Sequence, residues 1–416
     1  MSDATARDPG FTTGIGKGEF IALAAALMAL NAMAIDVMLP GLQEIGAALG
    51  VEDQNHRQFV ITAYVLGLGA AQLFYGPISD RFGRRGPLLV GLIFYAVTAF
   101  AAAFAPSFAV LLVLRFLQGV GAAATRVIAV SAIRDVFGGR QMAEVMSMVM
   151  MVFMIIPVIA PSLGQAAMIF GDWPIIFITM GVMSLAITIW ALLRLPETLA
   201  PEMRRALSLS SIAEGFGFVL TNRVALCYTL ASTAIFGALF GFINSAQQIY
   251  VEIYDLGDWF PLLFAIGAGL MAISSFTNAR LVGRLGMRLL SHGALIGFLT
   301  VNGIWLALTL ISPVSFPVFF VLFALSMFQF GWVGANFNAI AMEPLGHVAG
   351  TAAAIQGFVT TLGGGVLGAL IGQAFDGTLT PLAAGYFGVA AIALVFVLIG
   401  ERGKLFRQTV PARTTD

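Results

Sequence analysis

The chain has 416 residues, 59% hydrophobic and only 10% charged, and its 21 basic and 21 acidic residues cancel to a net charge of zero. Ordinary soluble domains run to about 45–50% apolar and about 25% charged residues, so a soluble globular protein is excluded. At about 20 apolar residues per crossing there is room for about a dozen spanning helices, and continuously apolar runs exclude the alternating strands of a β-barrel.

Residues 1–17 read as a polar tail. They lack the basic segment and small-residue cleavage site of a secretory signal, so the first helix is expected to stay attached. Twelve apolar runs follow, at about 18–40, 57–77, 87–105, 108–133, 142–167, 174–195, 223–250, 259–282, 290–312, 315–341, 348–374 and 381–400. A polar interruption at 196–222 divides them into an N-terminal half at 18–195 and a C-terminal half at 223–400, with residues 401–416 as a second tail. The expected class is an all-α integral membrane protein of twelve transmembrane helices in two six-helix halves.

Charge sets the orientation. Arg81, Arg84, Arg85, Arg134, Arg140, Arg194, Arg204, Arg280 and Arg284 fall in every second loop, and Lys17 and Arg402 bring both termini to the same side. The alternate loops carry Glu52, Asp53, Asp172, Glu252, Asp258 and Asp376, with Arg57 the one clear basic exception. By the positive-inside rule both termini are cytoplasmic.

Three segments carry further chemistry. In the first helix, "AIDVMLP" buries a carboxylate, Asp36, among apolar residues. Such a group needs a partner, a proton or a job. In the fourth helix Arg115 reaches a comparable depth, so Asp36–Arg115 is the expected intramembrane pair, either a static bridge that fixes packing or a proton-coupling device. Arg126 follows Arg115 by three turns and shares its face with Gln118. Two readings of Arg126 stand: a side chain that snorkels toward a headgroup phosphate, and one that lines a substrate path. Between the second and third helices, "GPISDRFGRR" packs Gly76, Asp80, Arg81, Gly83, Arg84 and Arg85 into one loop. Gly76 is expected to let two helices approach, Asp80 to cap a helix or pair with an arginine, and the arginines to anchor the loop at headgroups. The weaker "ARLVGRLGMR" repeats it 203 residues on (284 − 81).

"GPISDRFGRR" resembles the signature loop of the major facilitator superfamily, G-x-x-x-D-R-x-G-R-R/K. "LRFLQGVGAAATRV" is similar to that superfamily's arginine motif, and "PVIAPSLGQ", with Pro157, Pro161 and Gly164, to its antiporter motif, although Ala160 and Gln165 stand where glycines are expected. "AIDVMLP" and "NFNAIAMEPLGHVAGTAAAIQGF" resemble the bicyclomycin/chloramphenicol-resistance branch of the twelve-helix drug:proton antiporters. That branch commonly has its second helix-4 arginine near Val130, one turn beyond Arg126. The resemblance implies a proton-coupled exporter of small lipophilic compounds working by alternating access between pseudo-symmetric halves. It implies a monomer in the bacterial inner membrane, driven by the proton gradient with no cofactor and no nucleic-acid partner.

Aromatic and amide residues on opposing helices are candidate walls for a substrate cavity: Asn31, Tyr64, Gln118 and Arg126 in the first half, Phe236, Phe240, Asn244, Phe330, Asn336 and Phe358 in the second. Any single Phe of the 35 is as readily core or lipid-facing. Glu343 and His347 flank a loop near water and read as gate residues, and the one cysteine, Cys227, reads as a small buried hydrophobe. A proton-coupled importer of a nutrient shares this fold and this acid, and a non-transporting sensor could keep the fold. A membrane enzyme lacks any of the expected metal, phosphate or nucleophile motifs.

Overall fold

Backbone amides and carbonyls in hydrocarbon must find partners within their own segment, so apolar runs of this length fold as helices. The computed structural model describes residues 15–204 and 209–407. The ends of both tails, Arg205 in the linker and the side chain of His347 lie outside the described residues.

The first half contains α1 (Lys17–Asp36), the short α2 (Leu42–Ala48), α3 (Phe59–Phe82), α4 (Arg85–Ala103), α5 (Phe108–Val136), α6 (Gly139–Met168) and α7 (Pro174–Arg194). The linker carries α8 (Leu209–Thr221). The second half contains α9 (Arg223–Gln247), α10 (Phe260–Leu285), α11 (Met287–Ile311), α12 (Phe316–Met342), α13 (Ala349–Gln373) and α14 (Thr380–Gly400). Among the described residues twelve helical segments are long and apolar enough to cross a membrane, α1 and α2 together making the first. The halves meet where α3 packs on α13 and α6 on α10.

The first crossing is broken, and the sequence says why. Pro40 has no N–H to offer the Asp36 carbonyl four residues earlier, so α1 ends at Asp36 and the chain turns through Leu39–Gly41 before resuming as α2. Glycines set the closest crossings. A Cβ on Gly67 would overlap the Phe116 carbonyl, one on Gly119 the Tyr64 carbonyl, and one on Gly164 the Val37 carbonyl beside the break. The close approach expected at Gly76 is absent: a Cβ there would meet nothing within 4 Å. The α3 crossings lie nearer the middle of that helix instead.

At the end of the bundle that holds both termini, each half builds a charge cluster at equivalent positions. In the first, Gly83 (φ +90°) terminates α3 and delivers Arg84, which donates to Asp80 Oδ1 at 2.5 Å and Asp135 Oδ2 at 2.8 Å. Glu197 of the linker accepts from the backbone N–H groups of Arg84 (2.7 Å) and Arg85 (3.2 Å). In the second, Gly286 (φ +82°) delivers Arg288, bonded to Glu343 at 3.0 Å and Glu401 at 2.7 Å. Of the arginines expected at headgroups, Arg81 is exposed, but Arg84 is 6% exposed and serves as the core of its cluster. Burial works against the Arg84 charge, but the bonds to Asp135 and Asp80 prevail and hold its pKa above the ordinary arginine value.

At the opposite end the two halves are joined directly. Asn55 donates to the carbonyls of Gln373 (3.2 Å) and Phe375 (2.7 Å), Gln248 donates to Asn55 Oδ1 at 2.8 Å, and Gln58 donates to the Gly372 carbonyl at 3.1 Å. Arg57, the basic residue out of pattern, faces Glu252 across this seam at 3.6 Å.

Candidate transport site

Asp36 is the last residue of α1, 4% exposed, and its Oδ1 is buried without a hydrogen-bond partner. Arg115 of α5 is fully buried nearby. The expected pair is not formed. Arg115 donates instead from Nε to the Val60 carbonyl (3.1 Å), from Nη1 to Gln118 Oε1 (2.6 Å) and from Nη2 to the Ala34 carbonyl (2.9 Å). Its guanidinium also stands 4.5 Å from the centre of the Tyr64 ring. The helix break explains the substitution: carbonyls in the last turn of a helix have no further amide to bind, and Ala34 is one of them. A guanidinium supplied with three acceptors and an aromatic face has little to gain from the carboxylate.

The same interior holds two more of the anticipated residues. Asn31 donates to Thr125 Oγ1 at 2.6 Å, and the Tyr64 hydroxyl donates to Asn31 Oδ1 at 3.3 Å. Asn31, Tyr64, Arg115, Gln118 and Thr125 thus form one buried polar cluster between α1, α3 and α5. Arg126, about one turn from Ala122 in the direction of the chain termini, is exposed.

The second half divides the anticipated wall. Phe236 and Phe330 meet edge to face, with ring centres 5.5 Å apart, and Phe240 and Asn244 lie buried on α9. Asn336 instead donates to Asn278 of α10 at 2.7 Å, and Phe358 packs against Phe216 of the linker helix α8. Glu343 belongs to the Arg288 cluster. Pro157 and Pro161 sit within a continuous α6. Sequence reasoning missed Asp135, Glu197, Glu401 and the Gln58–Gln248 contact, whose partners lie far apart in the chain. A carboxylate just beyond an apolar run, as in "IRDVF" and "LPET", was the available signal.

The Major Facilitator Superfamily family model matches residues 21–369. The chain belongs to the major facilitator superfamily. This superfamily member is 31% identical over 381 residues to a bicyclomycin resistance protein homolog of Haemophilus influenzae, covering 91% of this chain and 94% of that one. It is 29% identical over 388 residues to the multidrug resistance protein MdtL of Escherichia coli O157:H7, covering 92% and 96%. Among solved structures it resembles the xylose transporter XylE from E. coli in a partially occluded inward open conformation, with a TM-score of 0.69 at 12% identity over 92% of this chain and 97% of that one. A bacterial homolog of the lysosomal transporter Spinster superposes with a TM-score of 0.67 at 14% identity, over 92% and 94%. The protein is a multi-pass bacterial inner-membrane transporter of the major facilitator fold.

Proposed function

We propose that this transporter is a proton-coupled exporter of small, mostly lipophilic compounds, acting as a monomer without a cofactor and with both termini in the cytoplasm. The resistance proteins among its relatives support export, and the arginines gathered at the terminal end support the orientation. The observation that carries the coupling is the bare Asp36 oxygen. A carboxylate with no partner in low dielectric needs a proton or a cationic ligand, and it sits where the first crossing is broken. When the halves rock and water reaches the break, the same group can ionise, so proton gain and loss follow the conformational cycle. The joined seam closes the far end in this state, which suits substrate entry from the cytoplasm.

The test is transport by purified protein in proteoliposomes under an imposed pH gradient. Asp36→Asn, a permanent mimic of the protonated acid, is expected to insert and to bind substrate but to lose uphill movement and substrate-induced proton release. Uphill export by this variant would place the carrier elsewhere, with Glu343 the next acid to examine.

A further inference from the structure

Arg126 is a charge inside the bundle that the packing leaves unanswered. It lies ten residues from the end of α5 (136 − 126), about 15 Å of helix, which is longer than an arginine side chain can snorkel. Arg81, Arg134 and Arg284, by contrast, sit in the last turns of their helices. Among the described residues no acceptor or carboxylate partners the Arg126 guanidinium, whereas Arg57, Arg84, Arg194 and Arg288 each face a carboxylate within 4.0 Å.

Its exposure is to an interior space, not to lipid. At about 100° per residue, Arg126 lies about 20° round α5 from Arg115. Arg115, Gly119, Ala122 and Ile133 occupy that face, and all are buried. The outward face of α5 carries the exposed Val113 and Phe116, about 80–140° away. Asn338 of α12 is a second such position: it is exposed, and it stands about 100–160° round its helix from the outward-facing Val318, Val321 and Leu325. Each is an exposed polar side chain turned away from its helix's outward face, a guanidinium in the first half and an amide in the second. Through the Asn31–Thr125 bond, Arg126 also sits about 8 Å below the level of Asp36, five residues along α1 from Asn31.

We infer that the transported compounds carry an acidic group, a carboxylate, sulfonate or phosphoryl, which docks on Arg126. The inference rests on the transport reading above and narrows its substrate class. A planar guanidinium in a confined, partly dry space binds such oxyanions through paired, charge-assisted hydrogen bonds. A cation entering by the same route meets like charge before it reaches Asp36. Asp36 then serves the proton and Arg126 the cargo, on adjacent levels of one pathway.

The test uses full-length protein in nanodiscs and two dyes built on one xanthene frame, the anionic 2′,7′-dichlorofluorescein and the cationic rhodamine 123, with binding read by fluorescence anisotropy. The wild type is expected to bind the anion at least about tenfold more tightly than the cation. Arg126→Gln should lose at least about tenfold in anion affinity and nothing for the cation, and Arg126→Lys should fall between the wild type and the Gln variant, keeping the charge but losing the paired bonds. Preference for the cation, binding of neither dye, unchanged anion affinity in Arg126→Gln, or an Arg126→Lys protein no better than the Gln variant would each overturn the inference. Arg126-dependent anion binding without pH-driven movement in proteoliposomes would remove the exporter reading and leave this one standing. PH-driven movement of the cation that ignores Arg126 would do the reverse.

Discussion

The guanidinium of Arg115 donates to the backbone carbonyl of Ala34 at 2.9 Å, two residues short of the Asp36 carboxylate. The arginine therefore holds the frayed end of α1, and the acid stays unanswered. Removing Arg115 strands the carbonyls it serves, a loss of about 1–3 kcal/mol for each buried group left without a partner. Arg115→Met is expected to lower the midpoint of denaturant unfolding in detergent, and by the same amount in an Asp36→Asn background. A much smaller loss in that background would mean that the two charges pair after all.

Gly164 and Gly76 should respond in opposite ways to one added methyl. At Gly164 it overlaps the Val37 carbonyl, backbone that cannot swing aside, while at Gly76 it enters open space. Gly164→Ala is expected to cost about 1–3 kcal/mol and most of the transport activity, as overpacking does. Gly76→Ala should transport at close to the wild-type rate, measured in the same proteoliposomes.

Arg57 and Glu252 can be exchanged as a test of the seam. Each is partly buried, at 16% and 21% side-chain exposure, and they face each other across the two halves. Arg57→Glu alone sets like charges together and is expected to favour the outward-open state, read as faster labelling of thiols introduced on the interior wall from the periplasmic side. The double exchange, Arg57→Glu with Glu252→Arg, should restore the slow rate.

The Arg84 cluster should be insensitive to alkali. A group whose folded pKa lies above its unfolded value contributes stability that is fully present below the unfolded pKa and is lost only as pH rises through the folded one. For Arg84 the unfolded value already lies far into the alkaline range and the folded value lies higher still, so its contribution is constant over the whole working range. Unfolding midpoints of wild type and Arg84→Met, compared from pH 6 to 9, should differ by a constant amount. A gap that narrows across that range would show that another group sets the charge of the cluster.

Much of the fold is legible in the sequence. Hydropathy locates the crossings, and "AIDVMLP" singles out the acid that lies beside the break. The partner of Arg115 was not readable, because its acceptors are main-chain carbonyls, which every residue carries and no side-chain pattern reveals. Gly76 misled for a related reason: a glycine in a motif states that a side chain is missing, not which neighbour fills the room. Asp135 and Glu197 meet Arg84 from 51 and 113 residues away. Only the fold brings such separations together.

The seat of Gly164 against the Val37 carbonyl ties the ledge just past Asp36 to α6, and α6 is also one of the helices on which the two halves bear. A crank needs a rigid arm keyed to its shaft. Here the key is a missing methyl: with nothing between the two backbones to compress, a shift at the end of α1 turns α6 with no lost travel, and the turn arrives at α10 in the other half.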